Sequence, residues 1–143
     1  RAVYDPDRFD SEVRRCQGQL ESILGEPARF LRFPYGNRGH QDPGRIFRHY
    51  GLRCVHWTFS SLDSTARTPD RIVNRVETGL RAGAIVLFHD ALADEGASLG
   101  RRYRSDRDAT IAALPEVISR VRARGLRPVT MGNLPLRNPG PPS

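Results

Sequence analysis

The chain has 143 residues, of which 38% are hydrophobic and 27% charged, and 23 basic against 16 acidic residues give a net charge of +7. This length fits one domain with a sizeable core, and the longest apolar run, residues 84–88, is far too short to cross a membrane. Every basic residue is an arginine, and the arginines are spread along the chain. Because no zinc-finger, basic-zipper or RRM signature accompanies them, the charge does not indicate a nucleic-acid binder.

The first half of the chain predicts a helix–strand–helix–strand order. Apolar side chains recur at helical spacing over residues 8–24, and Gly25 is typical of a helix end. A short helix is predicted to begin at Asp42–Pro43, where an N-cap residue precedes proline, and to end at Gly51. Strands are predicted on either side of this helix, at residues 29–34 and 52–59.

The second half repeats the same order. Thr68–Pro69 is predicted to begin a helix that ends at Gly83. Residues 84–88 are continuously apolar, which is typical of a strand that is buried on both faces of a parallel sheet. The inward side chains of this helix are predicted to be Ile72, Val73, Val76 and Leu80.

A polar loop from about residue 90 to 105 precedes the last two predicted elements. These are a helix over residues 107–124, kinked at Pro115, and a strand over residues 126–131. The proline-rich tail, residues 135–143, is predicted to be disordered. The inward side chains of the long helix are predicted to be Ile111, Leu114, Val117, Ile118 and Val121.

Two cysteines, Cys16 and Cys54, lack the spacing of a metal or redox motif. Each lies at an apolar position of a predicted element, so we interpret them as two buried free thiols. A single disulfide between them remains the alternative.

Regular alternation of helices and strands predicts an α/β fold with a parallel sheet and right-handed crossovers. In such folds the chemistry collects at the carboxyl ends of the strands. Arg32, Asp63 and His89 lie at the ends of three successive predicted strands and are expected in one mouth. A histidine beside a carboxylate at that place is typical of a general acid, whereas a lone histidine there is more often a structural hydrogen-bonding residue.

The same strand ends carry motifs that resemble a known family, the polysaccharide deacetylases of the NodB-homology type (carbohydrate esterase family 4). Residues 32–36, Arg-Phe-Pro-Tyr-Gly, resemble the third motif of the family, and residues 85–90, Ile-Val-Leu-Phe-His-Asp, resemble the fifth. Residues 57–63 lie where the fourth motif belongs, and residues 114–130 resemble the closing helix and strand. The resemblance covers residues 8–134.

This resemblance implies a partial (β/α) barrel with about four parallel strands and flanking helices. Residues 1–134 would be the carboxyl-terminal part of such a domain. The family's first motif, Thr-Phe-Asp-Asp-Gly, supplies a catalytic base and a metal-binding aspartate, and its second, His-Ser/Thr-x-x-His, supplies two metal-binding histidines. Neither pattern occurs in these residues. The implied function is therefore that of a fragment: the intact enzyme would use a divalent, zinc-like metal to hydrolyse N-acetyl or O-acetyl groups of a carbohydrate polymer, and the isolated chain would be nearly inactive.

The resemblance also implies roles for three catalytic residues. His89 would be the general acid that protonates the departing amine. Asp63 would orient His89 and keep its imidazole protonated. Arg32 would hold the catalytic base, an aspartate that this chain does not contain.

Three further residues are implied to bind the substrate. Tyr35 would shape the groove, and its backbone N–H would help to stabilise the tetrahedral oxyanion. Leu87 would line the small pocket for the acetyl methyl group, and Trp57 is assigned to the same groove.

The fourth motif departs from the family's Asp-x-x-Asp-Trp pattern, because serine stands at positions 60 and 64 while Asp63 is retained. An alternative is therefore a non-catalytic relative that binds a carbohydrate or a protein through the old groove. The implied partners are an acetylated polysaccharide or oligosaccharide and the missing amino-terminal half, with neither nucleic acid nor a membrane span. The family resemblance favours an extracellular or cell-envelope location.

Overall fold

The computed structural model describes residues 5–36, 44–90 and 107–134. The predicted helix start at Asp42–Pro43 and the predicted tail lie outside these residues, as does nearly all of the predicted polar loop. The chain divides into two compact units, Arg1–His56 and Trp57–Ser143, each of which is described by itself. In the described part of the chain, no helix has the length and apolar character needed to cross a bilayer.

Helix α1, Pro6–Leu24, confirms the first predicted helix and begins the first unit. The carboxylate of Asp5 caps it by accepting hydrogen bonds from the backbone N–H groups of Asp7 and Arg8, at 3.0 and 3.3 Å. Gly25 ends the helix with φ of +79°, a left-handed conformation that a residue without Cβ adopts freely.

Two short parallel strands complete the first unit, β1 at Phe30–Leu31 and β2 at Arg53–Cys54. Helix α2, Gly44–His49, lies between them in sequence, as the alternating pattern predicts. The core of this unit is formed by Val13, Ile46 and Leu52.

The second unit has the same composition of elements. Strands β3, Phe59–Ser60, and β4, Val86–Leu87, pair in parallel. Helix α3, Pro69–Gly79, and helix α4, Asp108–Ala123, pack against each other over a core that also includes Ala66. The buried side chains of the two helices are Ile72, Val73 and Val76 from α3 and Ala113 and Val117 from α4. The fold is therefore a mixture of helices and short parallel strands, and the strands described form two sheets of two strands each.

Three predicted strands differ from the structure. The run at residues 52–59 is two strands, β2 and β3, because each pairs with a different neighbouring strand. The run at 84–88 is only half-buried, because β4 has one neighbouring strand among the described residues. Residues 126–131 form no strand; a 3₁₀ turn, Met131–Asn133, follows an unpaired segment.

Helix α3 also ends earlier than predicted, at Gly79 rather than at Gly83. A Cβ at position 79 would lie 2.7 Å from ring atoms of Phe59, so glycine is needed there for space. Leu80 then leaves the helix in an extended conformation, with φ of −64° and ψ of 122°.

The buried face of α4 is rotated from the predicted one. Thr110, Ala113 and Val117 are buried, whereas Ile111 is 65% exposed. Leu114 and Ile118, also predicted to point inward, are each 38% exposed. Small side chains face α3 because they let the two helices approach closely. The helix continues through Pro115.

Both cysteines are free thiols, but the prediction that both are buried is wrong. Cys16 lies on the exposed side of α1, because Val13 and Gln17 take the inward positions. Cys54 in β2 is half-buried.

Substituting two isoleucines in the second unit will test the rotated face of α4. Ile72 is fully buried, so Ile72→Ala is expected to lower the free energy of unfolding by about 2–5 kcal/mol. The control, Ile111→Ala, removes the same atoms from a side chain that is largely exposed and is expected to cost less than about 1 kcal/mol. Urea unfolding monitored by the fluorescence of the single tryptophan, Trp57, measures both. A large loss in Ile111→Ala would contradict the assignment of the buried face.

Candidate active site

Two neighbouring strands of the second unit end beside each other and bring a carboxylate to an imidazole. Strands β3 and β4 are parallel, and Ser60 lies opposite Leu87. Asp63 follows Ser60 by three residues, and His89 follows Leu87 by two. Because the carboxyl ends of parallel strands lie at the same edge of a sheet, both residues are placed at that edge.

The carboxylate of Asp63 holds His89 by both the ring and the backbone. Oδ1 of Asp63 lies 2.8 Å from Nδ1 of His89, and Oδ2 accepts a hydrogen bond of 2.9 Å from the backbone N–H of His89. The side chain of Asp63 is fully buried, whereas that of His89 is 34% exposed. With Nδ1 donating to the carboxylate, Nε2 is the ring nitrogen left to meet a substrate.

Two hydroxyl groups complete the surroundings of the carboxylate. Ser61 Oγ lies 2.9 Å from Oδ1 of Asp63, and Thr110 Oγ1 lies 3.3 Å from Oδ2. Ser61 Oγ is also 2.7 Å from the carbonyl oxygen of Leu87 in β4. Each carboxylate oxygen therefore has two hydrogen-bonding neighbours, which is what a buried charge requires.

These contacts determine the protonation of Asp63. Burial by itself would raise the pKa of the Asp63 carboxyl. The hydrogen bonds from the ring and backbone of His89 and from Ser61 outweigh that effect, so the pKa of Asp63 lies below its ordinary value. Asp63 is consequently a carboxylate, and not a carboxylic acid, throughout the neutral range.

The loop that presents Asp63 is held in an unusual conformation. Leu62 has φ of +58°, which is unfavourable for a residue with a branched side chain. Its carbonyl oxygen accepts hydrogen bonds from the backbone N–H groups of Thr65 and Ala66, at 3.1 and 3.0 Å. Its own N–H donates to Ser60 Oγ at 3.1 Å. These bonds fix the turn, so the position of Asp63 is set before any substrate binds.

Two of the remaining predicted site residues belong to the first unit. Arg32 is exposed after β1, and Tyr35 lies in the 3₁₀ turn Pro34–Gly36, 80% exposed and with φ of +55°. The buried ring of Phe33, which stacks on Phe9 with a centroid distance of 5.6 Å, fixes the start of that turn.

The other two lie in the second unit. Leu87 is half-buried in β4, and its carbonyl oxygen accepts from the backbone N–H and the hydroxyl of Ser61. Trp57 is half-buried before β3. Of the predicted residues, the structure thus brings Asp63, His89 and the backbone of Leu87 together.

Sequence reasoning missed the two hydroxyl groups. Ser61 lies within the region of the fourth motif, but the resemblance gives it no role of its own. Thr110 lies outside the apolar stripe predicted for the last helix. A signal was available for Thr110, because it shares a helical face with Ala113 and Val117 at spacings of three and seven residues.

The metal that the family resemblance implies does not fit the described residues. They contain no group of three or more His, Cys, Asp or Glu side chains that could hold a metal ion. Both carboxylate oxygens of Asp63 already accept hydrogen bonds, which leaves this residue poorly suited as a ligand.

Comparison with known proteins identifies relatives by sequence, although no family model matches the chain. A chitooligosaccharide deacetylase from Azorhizobium caulinodans is 30% identical over 120 residues, covering 83% of this chain and 56% of that protein. A chitooligosaccharide deacetylase from a Bradyrhizobium species is 36% identical over 122 residues, covering 85% of this chain and 55% of that protein. The chain therefore spans about half the length of the relatives it matches.

Solved structures similar to this chain include members of carbohydrate esterase family 4. A family 4 carbohydrate esterase from Streptomyces lividans, in complex with acetate, superposes with a TM-score of 0.68 at 25% identity, covering 86% of this chain and 55% of that chain. A pseudoenzyme of the same family from Bacillus anthracis superposes with a TM-score of 0.75 at 19% identity, covering 92% and 41%. The second likeness concerns the fold alone.

The pH dependence of stability will test the environment of Asp63. A carboxyl whose pKa is lowered by folding stabilises the protein above the ordinary carboxyl pKa, and this contribution is lost as the pH falls through the lower pKa of the folded state. Asp63→Asn is expected to lower the free energy of unfolding at neutral pH by about 2–4 kcal/mol, and the difference from wild type should shrink in acid.

The control for this experiment is Asp70→Asn, in the exposed first turn of α3. It is expected to cost less than about 1 kcal/mol. Urea unfolding between neutral pH and pH 3 measures all three proteins. A loss in Asp63→Asn that does not change with pH would contradict the lowered pKa.

Proposed function

Because this chain is a relative of the NodB-homology polysaccharide deacetylases of carbohydrate esterase family 4, we propose that it forms part of a hydrolase that removes acetyl groups from a carbohydrate polymer. His89 is its general acid. The single observation that carries this proposal is the contact between the buried carboxylate of Asp63 and Nδ1 of the partly exposed His89.

The chemistry of deacetylation requires such an acid. Attack of water on the acetyl carbonyl gives a tetrahedral intermediate, and the carbon–nitrogen bond then breaks. An amine anion is a very poor leaving group, so the nitrogen must receive a proton as that bond breaks. His89 donates this proton from Nε2, and the carboxylate of Asp63 holds the ring through its contact with Nδ1.

The fixed surroundings of Asp63 suit this role. Its lowered pKa keeps the carboxylate charged, so it remains a hydrogen-bond acceptor for the ring of His89. The strained turn at Leu62 and the hydrogen bonds around Oδ1 and Oδ2 hold the pair before substrate binds. A preorganised pair avoids the cost of ordering the acid in the transition state.

The catalytic base and the metal ligands belong, on this proposal, to motifs outside these residues. The chain spans about half of its relatives, which supports the interpretation that it supplies the acid side of the reaction. Residues 1–134 would form the carboxyl-terminal part of a partial (β/α) barrel. The two short parallel sheets and the superposition on the family 4 esterase support that architecture.

The family resemblance implies roles for four other residues, two in each unit. Arg32 would hold the missing base, and Tyr35 would shape the substrate groove and offer its backbone N–H to the oxyanion. The exposed ring and positive φ of Tyr35 support that role, because such strain concentrates at functional sites. Leu87 would line the acetyl pocket, and Trp57 the groove. Relatives named for chitooligosaccharide make N-acetylglucosamine oligomers the substrate to test first.

A second candidate is a non-catalytic carbohydrate-binding or protein-interaction domain. Serine replaces two residues of the fourth motif, and Ser64 is buried, so it offers no apolar wall to a sugar. The retained contact of Asp63 with His89 favours the enzyme, since a binding domain has no need for an imidazole oriented by a buried carboxylate.

Replacing His89 will test the general acid. In the natural gene product that contains these residues, His89→Ala is expected to lower kcat for N-acetylchitooligomers by about 10²–10⁴-fold with little change in KM. Acetate release measures the rate. The control is His49→Ala, an exposed residue of α2, which is expected to leave kcat unchanged.

A second substrate makes this test specific for proton donation. Aryl acetates release a phenolate that needs no proton, so His89→Ala should lose far less activity on 4-nitrophenyl acetate than on the amide. An equal loss on both substrates would overturn the role of His89 as acid. Unchanged kcat on the amide would favour the non-catalytic candidate.

The isolated chain provides a further test. Residues 1–143 alone are expected to release acetate from N-acetylchitooligomers at less than about 1% of the rate of the complete protein in zinc or cobalt, because the acid alone contributes only a part of the rate enhancement. Strong activity of the isolated chain would show that the base and the metal ligands lie within it, contrary to the proposal.

A further inference from the structure

Helix α4 touches the Asp63–His89 pair through one hydroxyl group, that of Thr110. We propose that Thr110 is a positioning residue, an inference that rests on the function proposed above. Its hydroxyl holds the Asp63 carboxylate in the orientation in which Oδ1 contacts Nδ1 of His89. Thr110 does not touch the reacting atoms. It acts through Asp63.

The hydrogen-bond donors around Asp63 distinguish Thr110 from Ser61. The single proton of the Ser61 hydroxyl has two acceptors, Oδ1 of Asp63 at 2.9 Å and the carbonyl oxygen of Leu87 at 2.7 Å. The Leu87 carbonyl is the nearer one. In the described part of the chain, the hydroxyl of Thr110 has one acceptor, Oδ2 of Asp63 at 3.3 Å. Among the described residues, the Asp63 carboxylate is therefore the one acceptor of the Thr110 hydroxyl, whereas the Ser61 hydroxyl is shared between Asp63 and Leu87.

The position of Thr110 on its helix supports the same conclusion. It is 6% exposed and shares the buried face of α4 with Ala113, which is fully buried. The neighbouring Ile111 is 65% exposed, although burying it in place of threonine would remove more apolar surface from water. A buried hydroxyl is unfavourable unless it is hydrogen-bonded, and this one is bonded to a charged group.

The packing of α4 against α3 holds Thr110 in place. The buried residues Ala113 and Val117 pack α4 against Ile72, Val73 and Val76 of α3. Helix α3 in turn follows the loop that carries Asp63. The carboxylate is thus held from two sides, by its own loop at Oδ1 and by α4 at Oδ2. Among the described residues, the charged or titratable group in contact with Asp63 is His89.

Removing the hydroxyl while keeping the shape of the side chain will test this role. Thr110→Val replaces Oγ1 with a methyl group in the 143-residue chain, and Thr110→Ser keeps a hydroxyl. The matched control is Thr78→Val in the last part of α3, an exposed threonine whose hydroxyl donates to the Arg75 carbonyl at 2.8 Å.

Two NMR measurements give the readout. The ¹³C shift of the Asp63 carboxyl followed against pH should titrate at a higher pH in Thr110→Val than in wild type. The ¹⁵N shifts of the His89 ring should show less proton density fixed at Nδ1. Thr110→Ser should restore both values, and Thr78→Val should leave them unchanged.

Unchanged Asp63 and His89 signals in folded Thr110→Val would overturn the proposal. If that variant does not fold, Thr110→Ala compared with Thr110→Ser decides the question in the same way, because these two differ by the hydroxyl. Neither measurement depends on turnover. A failed role for Thr110 therefore leaves the proposed function standing, and a failed His89→Ala experiment leaves these signals interpretable.

Discussion

The second unit depends on one buried negative charge, the carboxylate of Asp63. A charge without water must be satisfied by hydrogen bonds, and here the donors come from the loop after β3, the chain after β4 and helix α4. The same carboxylate therefore joins a strand end, a neighbouring strand end and a helix. The contacts with His89 and Ser61 that lower its pKa are among those that hold the surrounding elements, so its chemical role and its structural role overlap.

The position of this pair could be predicted from the sequence because it follows from the most regular part of the fold. Apolar runs locate β3 and β4, parallel pairing aligns their carboxyl ends, and residues just beyond must then be neighbours. Helices α1, α3 and α4 were predictable for the same reason, since their periodicity and end residues are strong signals.

The features that the sequence did not predict depend on tertiary contacts, that is, on which strand or helix each element packs against. The run at residues 52–59 carries no sign that its two ends pair with different strands. Helix α4 has two stripes of similar spacing, and hydrophobicity favours the larger side chains of Ile111 and Ile118, whereas packing against α3 selects small ones. The positive φ of Leu62 is invisible in the sequence, because leucine rarely adopts it.

The close approach of Phe59 to Gly79 means that one added carbon atom at position 79 would affect strand β3. A methyl group at position 79 would require the aromatic ring of Phe59 to shift away from α3, although the helical backbone there would accept alanine readily. Phe59 is a residue of β3, four positions before Asp63. The ring of Phe59 therefore determines which residues position 79 tolerates. Through this contact the end of α3 is coupled to β3, the strand that precedes Asp63.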